Sequence, residues 1–411
     1  MRLSELEAKR VGIWGAGREG RAAAAAVERA GGHVEVLATD ADPAGVARLA
    51  SCEVVIRSPG VSRYRPELER MAAGGVALTT GTNLFFAEPR DAAAIGVTGT
   101  KGKSTTSAML AHLLRQSGAA VELGGNIGLA MLELLERPQP DFFVIELSSF
   151  QISDLQRGPE VAVVLNLYPE HLDWHGSEQA YAADKLRLLR LDGVRVAVVD
   201  ARDERIQRAV PEGVDVRTFA LPEGLGVAEL PVRGEHNLSN LAAALAAAAA
   251  VGVRVEGVRA AMASFKALPH RLEVVVERRG ITWVNDSIAT TPEATIAGLR
   301  TFADRPVALI AGGYDRGQDY ARLGRAIDGH PGGAALIALA DTGARIAANV
   351  ACDVSHAESL EAAVALAAER APGGAVVLLS PAAPSFGAFR DFEDRGERFR
   401  AAVGRVVASR R

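Results

Sequence analysis

Short apolar runs alternate with amphipathic or alanine-rich stretches along almost the whole chain, the rhythm of parallel strands joined by helices. Up to residue 90, strands are expected over 11–14, 34–38 and 54–57, with an alanine-rich helix after the first. A second series of strands falls over 92–97, 141–146, 161–165 and 194–200. Helical patterns accompany it from Ser107, over 181–187 and along 241–253. A third series covers 272–276, 281–284, 307–311, 335–339 and 375–379, with a helix expected over 357–370. Residues 81–90 read as an exit linker from the first series.

At 411 residues the chain exceeds what one core usually supports, so two or three domains are expected. A 48% apolar and 23% charged composition is that of a soluble globular protein. A formal net charge of −4 argues against general affinity for nucleic acid or acidic membranes, so neither is expected as a partner. Cys52 and Cys352 stand far apart with no C-x-x-C spacing, which points to a reducing compartment and away from structural zinc. The opening residues lack an apolar signal-peptide core, and the apolar run 241–253 is too short to span a bilayer. A cytoplasmic location is expected.

Candidate chemistry centres on Thr-Gly-Thr-Lys-Gly-Lys-Ser-Thr at 98–105, between a strand and a helix. Such a loop aims backbone N–H groups and a helix dipole at one point, where a polyphosphate can sit. Lys103 would reach the β/γ-phosphates, and the Ser104 or Thr105 hydroxyl would ligate Mg²⁺. The spacing departs from G-x-x-x-x-G-K-[ST], because Val97 stands five residues before Gly102. Glu146 closes an apolar strand, where a buried carboxylate is costly unless a cation meets it, making it a Mg²⁺ candidate. His171, Asp173 and His175 have metal-like spacing, but no fourth zinc partner is identifiable. The adjacent Glu146 and the 98–105 loop, read as a candidate ATP site, single out His171 among them. Lys185 lies on a helical pattern, where a solvated charge is the ordinary reading. Asn237 and Asn240 share one helix face, which N-capping alone does not explain.

The first segment carries G-x-G-x-x-G at Gly15, Gly17 and Gly20, with Thr39 and Asp40 at the end of the next strand. A nucleotide diphosphate, a nicotinamide cofactor and a tight βα turn all satisfy that pattern. Ser58 and Gly60 follow another strand, and the glycine-rich turn 124–128 puts Asn126 on a mobile or ligand-facing loop. In the last segment the candidates lie just beyond strand ends, at 285–290, 312–316 and 380–385.

In this order the motifs resemble the Mur ligases, and the resemblance spans nearly the whole chain. It rests on the 98–105 loop, Glu-Leu-Ser-Ser-Phe-Gln from Glu146, and Asn166 with the following Glu-His-Leu-Asp. It continues through Lys185-Leu-Arg, Gly-Glu-His-Asn with Asn240, His270-Arg271, Asn285-Asp-Ser and Ser380-Pro-Ala. The short first domain and the ending Ser-Phe-Gly-Ala-Phe-Arg-Asp-Phe-Glu-Asp-Arg-Gly are most similar to members adding glutamate to UDP-N-acetylmuramoyl-L-alanine. The implied fold is α/β in three domains: a short Rossmann-like N-terminal domain (1–90), a central P-loop-type ATPase domain (91–267) and a C-terminal Rossmann-like domain (268–411).

The resemblance implies ATP-dependent amide formation in peptidoglycan precursor synthesis, through an acyl phosphate. Gly99, Thr100, Lys101, Gly102, Lys103, Ser104 and Thr105 would hold the phosphates. Thr105 and Glu146 would take one Mg²⁺, and His171 a second with a carbamylated Lys185. Turnover is expected to depend on Lys103, Glu146, His171 and Lys185. Asn237, Asn240, Arg271 and Asp286 would frame the adenosine and its phosphates. Arg18, Glu19, Thr39, Asp40, Ser58, Gly60 and Asn126 would position the UDP-sugar. Thr290, Arg316, Ser385 and Phe392 fall where the incoming glutamate is bound.

Three positions depart from the usual D-glutamate pattern: Ile288 replaces a lysine, Arg316 replaces a lysine, and Pro384 stiffens the loop carrying Ser385. Glu170, in place of an aspartate, is a milder change. All three principal departures surround the incoming amino acid, and they look like the branch that adds L-glutamate and leaves inversion to a separate epimerase. L-glutamate is therefore favoured, with a D-glutamate ligase as the alternative. A folate polyglutamate synthase would share the ATP loop but start near it. A nicotinamide-dependent oxidoreductase would explain Gly15–Gly20 and leave the ATP loop without purpose, while a non-enzymatic ATP-binding regulator would dispense with Lys185 or Glu146.

Overall fold

The computed structural model describes the chain apart from Pro169, His171, residues 221–235, Ala267, Arg316, Arg410 and Arg411; at Leu172, Asp173, Ala340, Asp341 and Ser409 the backbone alone is described. It divides into two compact units, Met1–Phe265 and Lys266–Arg411. Three α/β sheets account for the strands, in agreement with the expected class.

The first unit holds two sheets. Strands β1 (Arg10–Trp14), β2 (His33–Ala38), β3 (Val54–Arg57) and β4 (Ala77–Thr80) form a parallel sheet in the order β2-β1-β3-β4. Strands β5 (Ala93–Thr98), β6 (Val121–Gly125), β7 (Phe142–Glu146), β8 (Val161–Val164), β9 (Val196–Asp200) and β10 (Asp215–Phe219) form a second, in the order β10-β9-β8-β5-β7-β6 and parallel throughout. Inner strands such as β1, β3, β7 and β8 are nearly all apolar because both faces are covered.

Residues 81–90 are not a linker. Gly81–Ala87 is a helix, capped by the Thr80 hydroxyl accepting from the Asn83 N–H at 3.1 Å. Its Leu84, Phe85 and Phe86 enter one continuous core that joins Ile13 and Val27 to Phe143, Ile145 and Val164. Phe85 meets Phe143 edge to face at 5.4 Å between centroids. Burying each such side chain contributes roughly 2–3 kcal/mol, so the two sheets are bonded through this helix. The alanine-rich helix His236–Ala250 packs against the helix Lys103–Gln116, its small side chains allowing close approach.

The second unit has β11 (Glu273–Arg278), β12 (Ile281–Asn285), β13 (Val307–Gly312), β14 (Ala334–Leu339), β15 (Val354–Ala357) and β16 (Val376–Leu379) in the order β11-β12-β16-β13-β14-β15. β11 is antiparallel to β12 and the rest are parallel, so the loops after β12, β16 and β13 emerge side by side. The helix expected from residue 357 begins at Leu360, where the Ser359 side chain caps it; Ala357 instead ends β15. Among the described residues, no helix is long and apolar enough to cross a membrane.

Candidate active site

The loop after β5 is shaped by its glycines. Gly102 has φ +87° and caps the helix Lys103–Gln116, and a Cβ there would stand 2.3 Å from the Asn240 side-chain oxygen. Asn240 Nδ2 in turn donates to Asn237 Oδ1 at 2.9 Å, so the asparagine pair sits directly against the loop. Asn166, at the end of β8, braces the other side. Its Oδ1 accepts from the Lys101 N–H at 2.9 Å, its Nδ2 donates to Lys101 O at 3.0 Å, and its carbonyl accepts from the Thr100 N–H at 3.0 Å. Thr100 Oγ1 lies 2.8 Å from the Tyr181 hydroxyl. Lys103 Nζ donates to Gly99 O and Thr100 O, both at 3.0 Å, and Lys101 pairs with Glu170 at 2.5 Å. Thr105 is buried in the first turn of the helix that Ser104 also joins.

Behind this loop lie Glu146 and Lys185. Glu146 is 1% exposed; its Oε1 accepts from Asn126 Nδ2 at 2.9 Å, while Oε2 is buried with no partner among the described residues. An ionised oxygen left so is costly unless a cation meets it, which is what a Mg²⁺ ligand requires. Lys185 is not a solvated charge: it is 2% exposed, on the helix Glu178–Leu186, with its ammonium 5.1 Å from the Tyr181 ring centre. Burial, reinforced by the charge of Lys103, pushes its pKa far below the usual lysine value, against the pull of Glu170 and Glu146. The charged form is thereby disfavoured at this position relative to a lysine in water.

His175 faces away from a metal role. Its Nδ1 lies 2.7 Å from Asp184 Oδ2 and its Nε2 lies 3.0 Å from Ser149 Oγ, and the Tyr64 hydroxyl donates to the same Asp184 oxygen at 3.1 Å. His171 and the side chain of Asp173 lie outside the described residues.

Arg18, Glu19, Thr39, Asp40, Ser58, Gly60 and Asn126, spread over more than one hundred positions of sequence, line one cleft of about 400 Å³ together with Gly15, Gly17 and Gln151. The first glycine-rich turn builds its floor: a Cβ on Gly20 would fall 1.7 Å from Gly15 O, so strand and helix meet this closely only without one. Arg18 donates to the carbonyls of Gly128 (2.8 Å) and Gly125 (3.0 Å), tying the turn that carries Asn126 to the first helix. Asp40 accepts from Trp14 Nε1 at 3.0 Å and pairs with Arg65 at 2.7 Å.

In the second unit Asp286 is buried and accepts from Ser380 Oγ at 2.8 Å and the Leu272 N–H at 3.2 Å; burial lifts its pKa to about 7 against those hydrogen bonds and Arg271. Thr290 and Ile288 follow β12, and the buried Pro384 and Ser385 follow β16, while Arg316, after β13, lies outside the described residues. Phe392 accepts from Ser287 Oγ at 2.8 Å through its carbonyl. A residue the motifs did not single out joins these loops: Arg395, fully buried, donates to Ser287 Oγ (3.0 Å), Ser287 O (2.7 Å) and Ala383 O (2.9 Å). Burial lowers its pKa to about 10. An arginine in the quoted chain ending was visible in sequence, but its burial was not.

The profile of the Mur ligase middle domain matches residues 97–224, and that of the Mur ligase glutamate ligase domain matches residues 270–383. A UDP-N-acetylmuramoyl-L-alanine--L-glutamate ligase of Xylella fastidiosa (strain Temecula1) is 42% identical over 460 residues, spanning 98% of this chain and 97% of the relative. One from Micromonospora sp. is 41% identical over 451 residues, spanning 98% of each. Among solved structures, the MurF ligase of Thermotoga maritima in complex with ADP is similar at TM-score 0.62 and 18% identity, spanning 100% and 97% of the two chains. The UDP-N-acetylmuramate-alanine ligase of the same organism is similar at TM-score 0.61 and 20% identity, spanning 98% and 100%. Those two likenesses are likenesses of fold.

Proposed function

The chain belongs to the Mur ligase family, and from that premise we propose that it joins L-glutamate to UDP-N-acetylmuramoyl-L-alanine, cleaving ATP to ADP and phosphate. The observation that carries the chemistry is the buried Lys185 behind a lysine-bearing phosphate loop, with a Glu146 oxygen left unmatched beside it. A carboxylate is a poor acyl donor. Its oxygen attacks the γ-phosphorus, ADP departs, and the acyl phosphate so formed is attacked at carbon by the glutamate amine. The tetrahedral adduct then expels phosphate, and no protein nucleophile is required.

The protein's task is alignment and charge. The loop 99–105 holds the phosphates through the N–H groups at the start of the helix Lys103–Gln116 and through Lys103, while Asn237 and Asn240 hold the adenosine side. Thr105 and Glu146 would hold one Mg²⁺, and a carbamylated Lys185 with His171 would hold a second; the unmatched Glu146 Oε2 and the lowered basicity of the buried Lys185 amine both fit. Bound there, Mg²⁺ supplies neutralisation of charge on the transferring phosphate. The cleft of the first sheet takes the UDP-sugar through Arg18, Thr39, Ser58, Gly60 and Asn126. Thr290, Arg316, Ser385 and Phe392 take the glutamate. The domain bounds proposed are 1–90, 91–267 and 268–411, each enclosing one sheet. Small water-soluble substrates fit cytoplasmic work, and an L-configured product calls for a separate epimerase wherever the D-form is needed.

Two relatives more than 40% identical over nearly the whole chain support the L-enantiomer, as do Ile288 and Pro384 on neighbouring loops. Phosphate release measured with UDP-N-acetylmuramoyl-L-alanine, ATP and each enantiomer tests it. L-glutamate is expected to sustain turnover, and robust release with D-glutamate alone overturns the reading.

A further inference from the structure

Assigning the first cleft to a UDP-sugar leaves one feature unexplained: a carboxylic residue, Glu19, stands among the residues that line a site for a diphosphate. Glu19 is the second residue of the helix Arg18–Arg29, at the end where N–H groups lack an intrahelical acceptor, and it is among the residues that line the cleft. Its Oε2 receives only a long contact from the Met131 N–H, 3.4 Å, and its Oε1 is buried with no partner among the described residues. The charged groups that bear on it are Arg18 on its own helix and Glu133 on the turn Met131–Glu136. Arg18 spends its guanidinium on the carbonyls of Gly125 and Gly128, and Glu133 Oε2 accepts from the Ala130 N–H at 2.9 Å. Asp40, elsewhere on the cleft wall, is held by Trp14 and Arg65. No cation forms an ion pair with Glu19 among the described residues.

An ionised carboxylate on the wall of this cleft would repel the diphosphate. A carboxylic acid would instead present an O–H to a phosphate oxygen, one of the stronger hydrogen bonds available. We propose that Glu19 enters the complex protonated and donates a hydrogen bond to a diphosphate oxygen of the UDP-sugar, so that substrate binding takes up a proton. The inference rests on the assignment of this cleft to that substrate.

Burial already holds the Glu19 carboxyl up at about 7, overcoming the pull of Arg18, and an adjacent diphosphate raises it further. The proton comes from the medium on binding above that pH and returns to it when the product leaves. Because only the protonated form binds well, affinity falls about tenfold per pH unit above 7 until the raised value in the complex is reached.

Calorimetry of the full chain with UDP-N-acetylmuramoyl-L-alanine tests this, between pH 6 and 8.5 in buffers of different ionisation heat. The wild-type chain is expected to take up close to one proton at pH 8 and to lose affinity as pH rises. Glu19→Gln, which keeps an N–H donor and cannot titrate, is expected to bind with no proton uptake and a flat pH profile. Wild-type binding without proton uptake overturns the role of Glu19 while leaving the cleft assignment standing. Absence of any binding overturns the cleft assignment and the inference with it.

Discussion

Two glycine-rich turns in the first unit each deliver a parallel strand into the start of a helix, Gly15–Gly20 after β1 and Gly99–Gly102 after β5, yet their surroundings differ in charge. Around the second stand Lys101, Lys103 and Lys185, with Glu146 and Glu170 behind them. Around the first, the Arg18 and Arg21 guanidinium groups donate to backbone carbonyls, and the residue beside them on the cleft wall is a carboxylic one, Glu19. A phosphate that is to be transferred needs cations to meet the charge that moves. A diphosphate that is only to be held needs hydrogen-bond donors and a backbone that lets it come close. On the proposed reading, the same local plan serves catalysis in one place and anchoring in the other.

That division can be broken by substitution. The largest effect is expected from Lys185→Ala, which should lower phosphate release by about 10³-fold or more, the scale of losing a principal electrostatic contributor. Binding of the UDP-sugar, followed by calorimetry, should stay within about twofold, and bicarbonate should give no rescue; near-normal turnover would remove Lys185 from the donor site. Next, Gly20→Ala forces a methyl group into Gly15 O and should weaken UDP-sugar binding by about ten- to hundredfold, the 1–3 kcal/mol of an overpacked contact. Binding of a non-hydrolysable ATP analogue should be unchanged, and equal loss of both ligands would show that the two turns are not independent. The smallest effect belongs to Tyr181→Phe, which removes the hydroxyl 2.8 Å from Thr100 and should cost about 1 kcal/mol in urea unfolding with a severalfold rise in the KM for ATP. A change in UDP-sugar binding instead would place Tyr181 on the wrong side of the comparison.

The inner strands of all three sheets could be read from their apolar runs, because a strand covered on both faces has few polar positions. The strands not anticipated, β4, β6, β10 and β15, all lie at sheet edges, where burial is partial and the pattern is broken by glycine, threonine or charge. The helix Gly81–Ala87 resembled a linker for a related reason. Its sequence holds Gly, Thr and Asn in the first turn, and only the packing of Phe85 and Phe86 against the neighbouring sheet makes it part of the core. Lys185 was legible as a motif residue, but helical periodicity carries no information on what covers that face.

Local backbone chemistry was within reach of the sequence alone: glycines where a turn requires φ > 0 or close approach, strands feeding helix N-termini, a carboxylate closing a buried strand, and the order of these motifs along the chain. Such features depend on residues a few positions apart. Only the tertiary structure decided that Lys185 is buried, that one oxygen of Glu146 is unmatched, that Arg395 binds two loops together, and that Glu19 shares a cleft with Thr39, Ser58 and Asn126. Protonation and ligand affinity follow from desolvation and from the charges that surround a group, and those are set by segments brought together in folding.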